Sequence, residues 1–312
     1  MNIAFVFPGQ GSQSIGMLRE LAAGHPEIEQ TFAEASQALG MDMWQLAQQG
    51  PEETMGMTEN TQPLMLTAGY AVWRAWQANE GAPATVMAGH SLGEYTALTC
   101  AGVMSFADAV SLVRDRGRFM QQAVPPGTGA MAAIIGLEDD QVRQACEEAK
   151  QNEVVEPVNF NAPGQVAIAG HRGAVERAVE AAKGLGARRA VPLALSVPAH
   201  SSLMQPAGER LQKRLYEISM NAPQVPVIHN FNVEIYSDPE EIKKVLIQQI
   251  AAPVRWVESI QKMEQSGTTH FIECGPNAVL SGTIKRIAKH ASLNVSIEKP
   301  DKFDAALSAC AP

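Results

Sequence analysis

The stretch "TVMAGHSLGEYTAL", Thr85 to Leu98, restricts what this chain can fold into more than any other. An apolar strand pattern runs directly into Gly89-His90-Ser91-Leu92-Gly93, and a helical pattern follows. A G-x-S-x-G turn between strand and helix needs small neighbours, because the backbone reverses within a few residues. It lifts the Ser91 hydroxyl above a sheet edge, at a helix N-terminus whose dipole favours developing negative charge. Strand, elbow and helix in that order predict an α/β fold with a mainly parallel sheet and a nucleophilic Ser91. The alternative for these five residues is a turn with a structural role only.

The remaining pattern divides the chain. A strand at Ile3 to Phe7 is followed by helices through Trp76, a short strand at Thr85 to Ala88, a helix from Leu92 and another from Phe106 to Ala123. "VPPGTG", Val124 to Gly129, reads as a linker. Beyond it come a strand "AMAAIIG", an amphipathic helix "EDDQVRQACEEAK" with acids in its first turn, and two strands, "VVEPVNF" and "QVAIAG". Asn161-Ala162-Pro163-Gly164 joins those two as a hairpin. The helix "GAVERAVEAAKGLG" and the strand "RRAVPLAL" complete a β-α-β-β-α-β unit, the ferredoxin-like order. The expected organisation is an α/β-hydrolase-like main domain, residues 1–126 and 196–312, with a ferredoxin-like domain, residues 127–195, inserted in it. The main part resumes with helix Ser202 to Ile218, strand Val225 to Asn230, helix Pro239 to Ala251 and helix Val254 to Ser266. A last strand, "THFIEC", meets Gly275-Pro276 and a helix through Lys289.

The N-terminal strand ends in Pro8-Gly9-Gln10-Gly11, which invites comparison with a phosphate cradle. The dinucleotide fingerprint G-x-G-x-x-G fails, since the third glycine is Gly16, and the P-loop ending Gly-Lys-Ser/Thr is absent. The turn brings backbone close to something other than a nucleotide phosphate. A formal charge of -9 and a pI of about 5.3 argue against general nucleic-acid affinity. The N-terminus has no basic segment followed by an apolar one, and no apolar run approaches the length of a membrane span. Cys100, Cys146, Cys274 and Cys310 lie far apart with no C-x-x-C. The expectation is a cytoplasmic protein with reduced thiols, no metal, no membrane and no nucleic-acid partner.

A serine nucleophile needs a base. His90 is its neighbour, but adjacent side chains in a sharp turn point apart. His200 stands out among the seven histidines. It follows the insert's last strand in "LSVPAHSSLM", on a loop from which an imidazole can reach the elbow. An acid to complete a triad is missing: Asp108 and Asp115 fall on a helix, and Asp139 and Asp140 open the inserted helix. Something else must orient the imidazole, or nothing does.

With those residues in hand, eight motifs in order resemble one family: FPGQGSQ, GHSLGE, RDRGRFMQQAVP, GTGAMAAIIG, VNFNAPGQVAIAG, SVPAHSSLM, PVRW and ECGPNAVL. They are similar to those of the malonyl-CoA:acyl carrier protein transacylases, stand-alone acyltransferases of bacterial type II fatty-acid synthesis. The resemblance thins only past Lys289. It implies that Ser91 carries the acyl group, that His200 is the base, and that the main-chain carbonyl of Gln249 orients His200. It implies oxyanion donors at the Gln10 and Leu92 backbone N–H groups, and a grip on the malonyl carboxylate by Arg116. Helix geometry puts Arg116 on one edge of an apolar face and Arg114 and Arg118 on the other, without choosing between them. Malonyl-CoA and acyl carrier protein are the implied partners, with no bound cofactor, CoA thioester being a substrate. Two basic clusters are candidates for docking the acidic carrier: Lys285, Arg286 and Lys289, or Lys183, Arg188 and Arg189. The rival functions are a serine esterase or thioesterase, a malonyl transferase of polyketide or malonate metabolism, and a non-enzymatic binding module.

Overall fold

A computed structural model describes residues 1–195 and 197–311; Ser196 and Pro312, the two ends of the second main-domain segment expected above, lie outside the described residues. The strands are β1 (Ile3–Phe7), β2 (Val86–Gly89), β3 (Gly129–Ile135), β4 (Val155–Ala162), β5 (Gln165–His171), β6 (Arg189–Pro192), β7 (Val227–Ile228), β8 (His270–Glu273) and β9 (Leu293–Ser296). They form two sheets.

The first sheet has the order β7-β2-β1-β8-β9, and every pairing is parallel. β1 lies at its centre and is buried along its whole length. Its side chains alternate between two apolar layers, as the period-2 geometry of a strand requires. Phe5 stacks edge-on against Trp73 and Trp76, at 4.8 and 5.4 Å between ring centroids, on the helix Thr58–Ala78. Ala4 and Val6 face the opposite layer with Trp256, Ile260 and Ile284. A strand covered on both faces reads as continuous apolar sequence, which is why "IAFVF" was legible. Phe7 pairs with Gly89 and Val6 with Glu273, so β1, β2 and β8 end level with one another. Their following turns gather on one edge, the C-terminal edge where parallel α/β sheets hold their sites.

The second sheet has the order β4-β5-β3-β6, all antiparallel. Helices Asp139–Lys150 and Arg172–Gly184 cover one face, sharing a core that includes Ile134, Val142, Cys146, Ile168 and Val179. Element order and strand order together are ferredoxin-like. The β4–β5 loop is only Pro163-Gly164, and Gly164 takes φ 69°, a conformation that costs glycine nothing. The other face, with Met131, Val158, Ala167 and Ala169, packs against Leu195 and Ala199, on the segment that leads to His200.

β4 also stitches the two sheets together. Val254 N–H donates to the Val158 carbonyl at 2.8 Å, and Phe160 N–H donates to the Val254 carbonyl at 3.1 Å. Ser202 donates its N–H and hydroxyl to Glu156, at 2.7 and 3.0 Å. This stitch explains one difference from expectation. The helix predicted from Val254 begins at Trp256, because Val254 is bonded to β4 instead. The strand predicted over Val225 to Asn230 contracts to Val227–Ile228, since His229 and Asn230 leave the ladder for buried polar partners. The helix predicted from Ser202 opens as a 3₁₀ turn, Ser202–Met204, before Gln205–Tyr216. β9 and the helix Pro300–Ala309 were not anticipated.

Candidate active site

Three glycines let the turns after β1 and β2 meet backbone to backbone. A Cβ on Gly89 would fall 1.8 Å from the Gly93 carbonyl carbon, and one on Gly93 would fall 1.9 Å from the Phe7 carbonyl oxygen. A Cβ on Gly9 would fall 2.5 Å from the His90 carbonyl oxygen. The Pro8-Gly9-Gln10 turn therefore lies directly against the serine elbow. Ser91 itself sits at φ 53°, and His200 at φ 64°. Side-chain-bearing residues adopt such angles at a cost of roughly 1–3 kcal/mol each, and they persist only where surrounding contacts enforce them.

Asn230 supplies much of that enforcement. Its Oδ1 accepts the Ser91 N–H at 2.7 Å, and its Nδ2 donates to the Gly89 carbonyl at 2.8 Å. The Ser91 N–H is thus occupied. The N–H of Leu92, first residue of the helix Leu92–Cys100, and the N–H of Gln10 donate to no acceptor among the described residues.

The His200 ring lies between the elbow and a pair of main-chain carbonyls. Its Nδ1 is 2.9 Å from the Gln249 carbonyl and 3.2 Å from that of Ala252. Both are acceptors, so the proton resides on Nδ1 and Nε2 is left to accept. Nε2 is 2.6 Å from Ser91 Oγ. The ring is buried, and no carboxylate touches it among the described residues. Burial, reinforced by the Arg116 charge, lowers the His200 pKa to about 3.

Arg116 is buried on the helix Phe106–Gln122, with 1% of its surface exposed. Its Nη1 donates to Gln62 Oε1 at 2.8 Å, and its Nη2 donates to Gln249 Oε1 at 3.0 Å and reaches Ser91 Oγ at 3.4 Å. The guanidinium also lies over the Tyr95 ring, 5.1 Å from its centroid. Nε has no partner, and no carboxylate of the described residues forms an ion pair with the group. Burial lowers its pKa. A buried arginine beside a serine hydroxyl, with no carboxylate directly on its guanidinium, is suited to receive an anion. Its neighbours on the helix go elsewhere: Arg114 bonds the Leu39 carbonyl at 2.9 Å and Arg118 bonds Asp115 at 2.6 Å.

The structure therefore brings Ser91, His200, Gln249, Arg116 and the Gln10 and Leu92 backbone together on the C-terminal edge of the parallel sheet. His90 points away, its Nε2 held 2.7 Å from Asn161 Oδ1 on β4. Sequence reasoning missed Glu94, Asn230, Gln62 and the side chain of Gln249. Two of these carried a signal. Glu94 is a lone charge in the otherwise apolar or small "LGEYTALTC", and Asn230 ends an apolar strand that belongs to the same sheet as the elbow.

The fold and this site fall in the class of the acyl transferases: the family model of the acyl transferase domain matches residues 4–300. The chain is 54% identical over 304 residues to the malonyl CoA-acyl carrier protein transacylase of Escherichia coli, covering 97% of this chain and 98% of that one. It is 42% identical to the enzyme of that name from Bacillus subtilis, over 98% of this chain and 96% of the other. The chain belongs to the malonyl CoA-acyl carrier protein transacylase family. The solved transacylase from Coxiella burnetii superposes with a TM-score of 0.97 at 46% identity, covering 99% of this chain and 98% of the other. A malonyl-transacylase solved in complex with its type II polyketide acyl-carrier protein gives a TM-score of 0.97 at 49% identity, covering 99% of this chain and all of the other.

Proposed function

We propose that this chain transfers the malonyl group of malonyl-CoA to the phosphopantetheine thiol of acyl carrier protein, through a malonyl ester on Ser91. His200 Nε2 takes the serine proton as Oγ attacks the thioester carbonyl. The oxyanion meets the free N–H groups of Leu92 and Gln10. The CoA thiol leaves with the proton from His200, and the carrier's thiol then repeats the steps in reverse. The Gln249 carbonyl holds the tautomer and orientation that a triad acid would otherwise fix. The Arg116 fork takes the free carboxylate of malonyl, and the observation that carries the reading is a buried arginine in no direct ion pair among the described residues, 3.4 Å from the serine hydroxyl. A serine esterase or thioesterase acting on neutral acyl groups leaves that arginine without a purpose, and a binding module leaves the serine–histidine pair without one. The reaction consumes no bound cofactor.

We assign the activity to fatty-acid elongation, with polyketide or malonate metabolism as the alternative setting. We place it in the cytoplasm; among the described residues no helix is long and apolar enough to cross a membrane. We divide the chain into a main domain, residues 1–126 and 196–312, and an inserted domain, residues 127–195.

The test is intact-mass analysis after malonyl-CoA, followed by addition of carrier protein. Transfer should outrun hydrolysis; loss of the adduct to water at an unchanged rate with and without carrier would favour a thioesterase. The same assay addresses docking. Arg286 donates to Gln165 Oε1 and to the Pro163 carbonyl, on the hairpin that also carries Asn161 beside His90. Lys285 stands exposed on that helix, which ends at Ile287 rather than running through Lys289, and Lys289 stands exposed in the turn just beyond it. Lys183, from the other cluster, is engaged with Glu180 at 2.6 Å. Reversing Lys285 and Lys289 to glutamate should slow transfer to carrier several-fold at low salt, less at moderate salt, and spare acylation by malonyl-CoA. Equal loss in both half-reactions would point to a damaged pocket.

A His200 pKa near 3 also has a kinetic signature. The base is neutral, and so competent, above that pH and is lost below it. kcat/KM for acylation should therefore stay level as pH falls from 7 to 5, rather than drop around 6.5 as for an ordinary imidazole. A descending limb centred near 6.5 would contradict the proposed environment of His200.

A further inference from the structure

The proposed reaction uses only the main-chain carbonyl of Gln249, yet its buried side chain sits at the junction of the site. Nε2 donates to the Ser91 carbonyl at 2.9 Å and to Glu94 Oε2 at 3.0 Å, while Oε1 accepts from Arg116 at 3.0 Å. Carbonyl and carboxylate can only accept, and a guanidinium can only donate. Just one orientation of the amide satisfies all three. Turned by 180°, its NH₂ would face the Arg116 donors and its oxygen would face two acceptors.

Glu94 is the fixed point of that arrangement. It is fully buried, with Oε1 accepting from His229 Nδ1 at 2.7 Å and Oε2 accepting from Asn230 N–H at 2.8 Å. Three donors converge on it, so its oxygens are held as acceptors. It bonds neither Ser91 Oγ nor His200, and it reaches Arg116 only through Gln249.

We propose that Glu94 is a positioning residue for acyl selectivity: by locking the Gln249 amide with its oxygen toward Arg116, it keeps the guanidinium fork aimed at the acyl carboxylate beside Ser91. This rests on Arg116 receiving that carboxylate. Glu94→Gln preserves shape but presents either an NH₂ or an oxygen to Gln249, so both amide orientations become tolerable. Gln249→Met removes the amide and retains the carbonyl that orients His200. The lock acts on the carboxylate only, so its loss registers in the ratio of malonyl to acetyl acylation.

The experiment compares acylation of Ser91 by malonyl-CoA and by acetyl-CoA in Glu94→Gln, Gln249→Met and, as reference, Arg116→Ala, with thermal unfolding followed for each. Both new variants should lower the ratio of malonyl to acetyl acylation by about tenfold, the scale of one charge-assisted hydrogen bond, mainly through the KM for malonyl-CoA; in Gln249→Met this adds to whatever both acyl groups lose with the bond to the Ser91 carbonyl. An equal loss for both acyl groups would mean that Glu94 merely supports the elbow, and an unchanged malonyl-to-acetyl ratio would overturn the proposal outright. If Arg116→Ala collapses the ratio and the other two do not, the lock fails while the carboxylate reading stands. If Arg116→Ala leaves the ratio untouched, both fail. Should Glu94→Gln not fold, Gln249→Met decides alone: a selective malonyl loss supports the lock, and any other result overturns it.

Discussion

Ser91→Ala should show no added mass after malonyl-CoA, where the unaltered chain gains one malonyl group. The elbow should survive the change, because its supports are main-chain groups: the Ser91 N–H bonded to Asn230 and the Ser91 carbonyl bonded to Gln249. Among the described residues the hydroxyl itself is bonded only to His200 and, at longer range, Arg116. His200→Ala should keep the serine but slow acylation by about 10²–10⁴-fold, the usual contribution of a positioned general base. A full-sized adduct on Ser91→Ala would place the acyl group elsewhere and sink the proposed mechanism at its first step.

Arg116→Ala should have the second largest effect, and a different character. A carboxylate seated on both arms of the fork forms two charge-assisted hydrogen bonds, so malonyl acylation should fall by roughly 10²-fold or more. Acetyl transfer should fall far less, so that preference shifts toward neutral acyl groups. Lysine at this position should rescue poorly: its ammonium cannot serve Gln62, Gln249 and a carboxylate in one plane. Parallel kinetics with malonyl- and acetyl-CoA check this, and an unchanged preference would assign selectivity to another residue.

The sequence made the fold legible where local and tertiary demands agree. The strand Ile3 to Phe7 is apolar because both its faces are covered. The two helices and four strands of the inserted unit follow their own periodicity. It failed where a segment's partner lies far along the chain. Val254 reads as the start of a helix, yet bonds Val158 and Phe160 nearly a hundred residues earlier. The pair His229-Asn230 reads as strand, yet its partners are Glu94, Ser91 and Gly89 on the elbow. β9 is short and only half-buried, so it shows little alternation. Within the site, Ser91 announced itself through its glycines. Arg116 could be separated from Arg114 and Arg118 only by family resemblance. Of the polar groups beneath the site, Glu94 and Asn230 stood out only as polar residues in apolar surroundings, and Gln62 and Gln249 had no local pattern at all. Side chains such as Gln62 and Gln249 are ordinary glutamines until burial and a charged neighbour make their orientation matter.

Arg116, in no direct ion pair among the described residues, also bears on the base. Its charge holds the neighbouring His200 below its ordinary basicity, second only to burial itself. On the proposed reading, an acyl group that carries a carboxylate neutralises Arg116 as it settles, and the imidazole regains affinity for a proton just as Ser91 must give one up. An acyl group without a carboxylate meets the weaker base. The substrate's remote charge thus tunes the strength of the group that attacks its other end, so that selection acts on the rate of bond formation as well as on residence in the pocket.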